Sequence, residues 1–321
     1  MPRQASDREE VIRDFVREMG ISKLYPPQES SVRHIASGDN LVVSAPTASG
    51  KSLIAYMAII DTLVRGGKAV YIVPLKALAS EKYSEIREIL SHFTQFASER
   101  GLWYGERPPS VAMSVGDYDS TEDSLGKKDV IIATSEKIDS VMRHDPPWIY
   151  RTSLVVADEI HIINDRNRGP TMEMILTRFK KEVPKARILG LSATISNATE
   201  LGLWLDAKVV KTDWRPVDLR TAVAHGAEVS FPGLEKRYLS EPDGMPKTRS
   251  EKRRLLYTLV AEGLRDDYQS LVFASTRRTA ETMAEKLGSL TEPGLSPPHA
   301  KILKKFADEI SKNSSEIDSD E

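Results

Sequence analysis

The sequence predicts a doubly wound α/β fold, on three observations. Six short apolar runs, NLVVSA, KAVYIV, SVAMSV, DVIIAT, SLVVAD and ARILGLS, recur over residues 40–192. They are nearly continuous rather than alternating, as strands covered on both faces must be. Helical patterns such as SLIAYMAIIDTLVRG and ALASEKYSEIREIL lie between most of them, and strands that alternate with helices build a parallel sheet.

The elements follow in order. In SDREEVIRDFVREMG, Val11, Ile12, Phe15, Val16 and Met19 share one helical face, with Ser6 and Glu9 spaced for a capping box and Gly20 placed as a stop. This segment reads as a docking helix. Regularity lapses after LWLDAKVVKT, where a Pro- and Gly-bearing stretch reads as a connector. A second α/β segment then begins, with RSEKRRLLYTLVAEGLRDD as helix, QSLVFAS as strand and TRRTAETMAEKLGSL as helix. TEPGLSPPHA reads as a linker, KILKKFADEI as a short amphipathic stretch and SKNSSEIDSDE as a disordered acidic tail. The expected division is a docking helix over 1–20, a first domain over 21–206, a connector over 207–249, the start of a second domain over 250–290, and linker plus tail over 291–321.

Composition narrows the chemistry. The 321 residues contain no cysteine, which excludes disulfides, cysteine-ligated zinc and iron–sulfur clusters. A formal net charge of −2 argues against a uniformly basic coat, while 45 Lys and Arg leave room for local patches. No run reaches the roughly 18 to 20 apolar residues of a membrane span, and MPRQASDREE lacks the apolar stretch of a secretory signal. The expectation is a cytoplasmic protein with no membrane partner.

Three motifs carry chemistry. NLVVSA runs into PTASGKS and then a helix, so residues 45–52 sit where a phosphate-binding loop belongs. Backbone N–H groups of Thr47, Ala48, Ser49 and Gly50 suit phosphates, Lys51 can reach the β and γ groups, and Ser52 can ligate magnesium. Ala45 stands where the general pattern has Gly. SLVVADEIH ends a buried strand in two acids at the edge beside that loop: Asp158 would hold the metal and Glu159 would orient and deprotonate the attacking water. His161 could couple the site to its surroundings or satisfy a hydrogen bond at a helix start. ILGLSAT closes a strand on Ser192 and Thr194, whose hydroxyls either bond to the acidic loop and transmit nucleotide state, or cap the following helix.

The set YPPQ, APTASGKS, PLKALASEKY, TSEK, DEIH, SAT, DWRP and LVFASTRR resembles the Ski-like branch of superfamily 2 helicases. Within that branch, GDYDS, TSEKIDS, DEIHIINDRNRGPT and WLDAKVVKTDWRP resemble the archaeal replication-fork DNA helicases related to the helicase portion of polymerase theta. The resemblance implies a RecA-like motor domain that uses ATP and Mg2+ to move on or unwind DNA, single-stranded or forked, in replication-fork repair. It implies that Gln28 reads the adenine edge with Tyr25 nearby, although Pro-Pro-Gln also suits a simple helix start. Pro74, Lys76, Ser80, Thr134 and Lys137 would grip the nucleic-acid backbone at helix starts, or else be solvated helix starts. Asp213, Trp214 and Arg215 would mark the passage between motor domains, with Trp214 an interface anchor or a coupling group. Backbone grips do not report the sugar, so the preference for DNA over RNA rests on the resemblance.

In the family, a second RecA-like domain supplies arginine fingers from a QxxGRxGR-like motif, and this sequence has none; Arg277 and Arg278 belong to the earlier strand-helix motif. The expectation is a chain that binds ATP and DNA, hydrolyses ATP slowly and does not unwind by itself. It would be completed by a separately encoded half or a longer relative, or be a non-catalytic binding remnant.

Overall fold

The computed structural model describes residues 4–103, 105–116, 122–233, 236–241, 248, 250–266, 268–291 and 296–317. Residues 117–120 of the GDYDS stretch lie outside the described residues. The chain forms two compact units, divided after Asp218.

The first unit is built on a seven-strand sheet of order β3-β4-β2-β5-β6-β1-β7, its strands paired in parallel throughout. The strands are β1 (Leu41–Ser44), β2 (Lys68–Val73), β3 (Val111–Ser114), β4 (Val130–Thr134), β5 (Thr152–Ala157), β6 (Arg187–Ser192) and β7 (Lys208–Lys211). Their apolar continuity has a direct cause. In β2, Ala69, Tyr71 and Val73 join one core while Val70 and Ile72 join the other, because successive side chains of a strand point to opposite faces. The first core is covered by α1 (Ala5–Glu18), α2 (Pro26–Ser37), α3 (Lys51–Val64) and α4 (Lys76–Glu99). The second is covered by α6 (Ser135–His144), α7 (Gly169–Glu182) and α8 (Ala198–Trp204); the short α5 (Glu122–Gly126) precedes β4.

Helix α1 docks through Ile12, Phe15 and Val16, all buried, and the Phe15 ring meets Phe93 and Phe96 edge-on at centroid distances of 5.9 and 5.3 Å. Each such apolar side chain contributes about 1.5 to 3 kcal/mol. The expected capping box is not formed. The helix begins one residue before Ser6, with Gln4 as its N-cap, so Ser6 lies inside the first turn and bonds Asp7, while Glu9 pairs with Arg13 at 2.9 Å. Gly20 does take the left-handed backbone expected of a stop, φ 81°.

A buried ionic cluster ties α1 and the C-terminal ends of α2 and α3 to the start of β6. Asp61 on α3 is paired with Arg187 at the start of β6 at 2.8 Å, with Arg8 and Arg65 each at 3.6 Å. Arg187 also donates to the carbonyls of Ile35 and Ala58 and to Thr62 Oγ1.

The second unit, Leu219–Glu321, contains a three-strand antiparallel sheet, β8 (Val223–His225), β9 (Glu228–Ser230) and β10 (Arg237–Tyr238), and helices α9 (Glu251–Arg265), α10 (Arg277–Thr291) and α11 (Pro297–Ile317). Three expectations are corrected. The first sheet takes β7 from residues assigned to the connector, because Leu41 to Ser44 offer it a free edge. QSLVFAS is not a strand: residues 269–274 carry no regular structure. A strand is defined by its neighbour, and among the described residues none lies alongside, which leaves Leu271 and Phe273 more than four-fifths exposed. Among the described residues of the linker and tail, Pro297–Ile317 form α11, since Pro297 suits a first helical position and the amphipathic period of 301–310 carries the helix on.

Candidate nucleotide and nucleic-acid site

At the C-terminal edge of the first sheet, β1 ends at Ser44 and the Ala45 N–H donates to Ser192 O at 3.2 Å. Ala45 therefore extends the strand pairing and is not among the positive-φ residues, so its side chain is no obstacle where the general pattern has Gly. The loop turns through left-handed Ala48 (φ 66°) and Gly50 (φ 77°) into α3. Thr47 and Ala48 are exposed, whereas Ser49 is buried with Oγ donating to Pro46 O at 2.7 Å. Lys51 curls back over the loop, donating to the carbonyls of Ala45 and Pro46, both at 2.9 Å. Burial pulls its ammonium below the ordinary lysine range, against the opposing pull of Glu159 and Asp158.

Gln28 is buried beside this loop, with both ends of its amide engaged. Oε1 accepts from the Tyr25 N–H at 2.8 Å and Nε2 donates to Gly50 O at 3.0 Å. Each end keeps a further hydrogen-bonding valence. The Tyr25 ring lies 4.7 Å from that of Trp214, inclined by 46°. Trp214, left open between two roles by the sequence, packs its ring on Tyr25, which itself lies beside Gly50 of the loop.

The acidic pair follows β5. Asp158 N–H donates to Ile72 O at 2.9 Å, continuing the sheet. Its Oδ2 accepts from the Tyr71 hydroxyl at 2.9 Å and its Oδ1 from the Glu159 N–H at 2.9 Å. Burial, reinforced by Asp158, holds the Tyr71 phenol well above its usual range, so it stays a donor. Glu159 adopts φ 50° and ψ 44°, a left-handed conformation costly for a side chain of this size. His161 Nδ1 lies 3.2 Å from Glu159 Oε2, so the histidine faces the acid two residues before it.

Among the described residues, neither hydroxyl of SAT bonds to the acidic loop or caps the following helix. Ser192 is fully buried and its Oγ finds no partner among the described residues. Thr194 is exposed, and the N-cap of α8 is Asn197. The turn is held instead by Ser44, whose Oγ accepts from the Ile195 N–H at 3.2 Å and donates to Ala193 O at 3.4 Å. Sequence reasoning missed Ser44; a lone hydroxyl closing the apolar run before the phosphate loop is the available signal.

The remaining residues cluster on the neighbouring half of the same edge. Val73 on β2 pairs in register with Thr134 on β4, so PLKALASEKY and TSEK open adjacent helices. Lys76 and Ser80 are exposed on the first turns of α4, with Pro74 half-buried before them. Thr134 is buried and acts as the N-cap of α6, its hydroxyl accepting from the Lys137 N–H at 3.4 Å. Lys137 Nζ donates to Gly116 O at 2.9 Å. A cavity of about 780 Å³ between α4 and Pro108–Val111 borders the N-terminal end of β3, the opposite edge, and takes no part in this arrangement.

Among the described residues no group of three His, Cys, Asp or Glu could hold an ion by itself. Ser52 and Asp158 supply oxygen donors beside a phosphate loop, which fits a magnesium ion whose other ligands are nucleotide phosphates and water. No helix of the described residues is long and apolar enough to cross a membrane.

A phosphate loop after β1 beside an Asp-Glu pair after β5, on a parallel sheet covered by helices on both faces, defines a nucleotide-binding domain of the P-loop class with a RecA-like helicase fold. The particular family is equally plain. The model described as DEAD/DEAH box helicase matches residues 25–201, and the chain belongs to that family. It is 40% identical over 302 residues to the ATP-dependent DNA helicase Hel308 of Methanocella arvoryzae, covering 94% of this chain and 38% of that protein. With the ATP-dependent DNA helicase Hel308 of Thermococcus kodakarensis the identity is 42% over 309 residues, covering 95% and 24%. The chain thus spans well under half the length of these curated relatives. Among solved structures, the Mycobacterium smegmatis helicase Lhr bound to ssDNA and AMP-PNP aligns with TM-score 0.65 and 23% identity over 90% of this chain and 37% of that one. DUF1998 helicase MrfA bound to DNA and AMPPNP aligns with TM-score 0.66 and 22% identity over 88% and 38%. At these identities the likeness is one of fold.

Proposed function

We propose that this chain is the ATP-binding part of a DNA helicase of the Hel308 type, using ATP and Mg2+ at the loop of residues 45–52 and gripping single-stranded or forked DNA through the starts of α4 and α6. The observation that carries the reading is the shared edge: nucleotide residues end β1, β5 and β6, and backbone-gripping residues end the adjoining β2 and β4.

The geometry supports each of the roles proposed. The free valences of Gln28 face the adenine edge, beside Tyr25 and Trp214. Amides of Thr47 to Gly50 and the N-terminus of α3 receive the phosphates. Lys51 exchanges the carbonyls of Ala45 and Pro46 for β and γ oxygens. Ser52 and Asp158 hold the metal, which when bound offsets charge on the phosphates. Glu159 orients a water and takes its proton as the water oxygen attacks the γ-phosphorus and the bond to the leaving ADP oxygen breaks. His161 holds the Glu159 carboxylate. Ser192 and Thr194 carry nucleotide state through the turn that Ser44 braces. At the other half, Lys76, Ser80 and Lys137 meet backbone phosphates, with Pro74 and Thr134 shaping the two helix starts. Assayed alone, these 321 residues are expected to turn ATP over slowly and not to unwind, since they hold no GRxGR-type arginines for the transferring phosphoryl group.

The test is ATP turnover with and without single-stranded DNA, an RNA of the same sequence serving as the comparison. Turnover rises with DNA more than with RNA. Glu159→Gln keeps nucleotide binding but loses about 10²-fold or more in rate. Equal turnover in the mutant, or no response to DNA, would contradict the proposal.

A further inference from the structure

Lys82 is a buried cation that the roles above leave unused. Its side chain is 8% exposed, and its ammonium lies 2.8 Å from Glu85 Oε2, 3.2 Å from Glu81 Oε1 and 3.2 Å from Ser52 Oγ. Three donors thus meet three acceptors, one of them the hydroxyl assigned to the metal. Tyr56, one turn beyond Ser52 on α3, donates its hydroxyl to the same Glu85 carboxylate. Ser52, Tyr56, Lys82 and Glu85 therefore form one connected set between α3 and α4.

Helix α4 works on two faces. Lys76 and Ser80 are exposed near its start, while Lys82 is buried and Glu85 half-buried against α3. One helix thereby reaches both a candidate nucleic-acid grip and the metal-side hydroxyl. A serine oxygen that accepts from an ammonium shares its lone pairs with one that ligates a divalent cation, and the two cations repel. Metal ligation by Ser52 is favoured when Lys82 withdraws towards Glu81 and Glu85.

We propose that Lys82 is a positioning residue that holds the Ser52 hydroxyl when the loop is empty and couples nucleic-acid binding at the start of α4 to metal–nucleotide binding at Ser52. This rests on the function proposed above. Linkage makes the coupling reciprocal: nucleic acid on α4 tightens the metal–nucleotide complex by the factor with which that complex tightens nucleic acid.

The test uses a fluorescent ADP analogue titrated onto the full chain in Mg2+ or in EDTA, with and without oligothymidylate. In the wild type, oligothymidylate tightens binding in Mg2+ by about fivefold or more, within the usual range of site–site coupling, and leaves binding in EDTA unchanged. Lys82→Met binds the Mg2+ complex tightly without oligothymidylate, and the coupling falls below about twofold. Glu85→Gln acts oppositely: Lys82 stays on Ser52 and affinity in Mg2+ drops while affinity in EDTA holds. Lys82→Arg, which keeps the cation, retains part of the coupling. Should Lys82→Met fail to fold by circular dichroism, Glu85→Gln and Lys82→Arg decide the matter through the same split. Wild-type coupling in Lys82→Met, or in Glu85→Gln, overturns the proposal and leaves the helicase reading standing. No nucleotide binding by the wild type in either condition overturns both.

Discussion

Adding one methyl group to Gly50 is the sharpest test of how the nucleotide site is assembled. Gly50 holds φ 77°, where a residue with a Cβ costs roughly 1 to 2 kcal/mol. An ideal Cβ there would overlap Gln28 Nε2, so the Gln28 amide must leave the two backbone groups it bonds, Tyr25 N at 2.8 Å and Gly50 O at 3.0 Å. Each such bond is worth about 0.5 to 1.5 kcal/mol, which places Gly50→Ala at about 2 to 5 kcal/mol in all. The two parts separate in a double-mutant cycle. On a Gln28→Ala background the clash is gone and only the backbone cost of about 1 to 2 kcal/mol remains. Urea denaturation of the four proteins, following the transition of the first unit, gives the energies, and a fluorescent nucleotide reports the site. The same cost for Gly50→Ala in both backgrounds would refute the packing of Gln28 against the loop.

Three further outcomes are expected. Arg187→Met removes the nearest of the three arginines paired with the wholly buried Asp61, and should cost about 3 to 5 kcal/mol in urea denaturation, with Asp61→Asn recovering part. Phe15→Ala removes the ring that meets Phe93 and Phe96, costing about 3 to 5 kcal/mol, and hydrogen exchange should show residues 5–18 losing protection first. Lys68 is pulled down to about 8 from the ordinary lysine value of about 10.5, chiefly by burial and against the pull of Asp129. A depressed folded value means the stability of the wild type relative to Lys68→Met rises with pH between about 8 and 10.5 and is lost as pH falls through 8. Paired denaturation curves at pH 7.5 and about 10 check this, and a pH-independent difference would contradict it.

What was legible in the sequence was what depends on neighbours along the chain. The strands β1 to β6 announced themselves because burial on both faces demands unbroken apolar residues, and the loop of residues 45–52 because a tight turn between strand and helix needs particular residue types. What escaped depends on partners remote in sequence. Ser44 gains its role from Ala193 and Ile195, about 150 positions away, and Trp214 from Tyr25. The segment around Leu271 has a strand's composition without a strand's neighbour. The box at Ser6 failed for a smaller reason: a helix that starts one residue earlier turns a cap into an ordinary first-turn residue.

The order of the strands has one more consequence. Thr134 closes β4 and Ser44 closes β1, and between these strands lie β2, β5 and β6. Four steps at about 4.8 Å set these two strand ends roughly 19 Å apart on a hydrogen-bonded lattice. That interval is a gauge block: a sheet of paired backbones does not stretch, so whatever sits at one of these strand ends is held at a fixed baseline from whatever sits at the other.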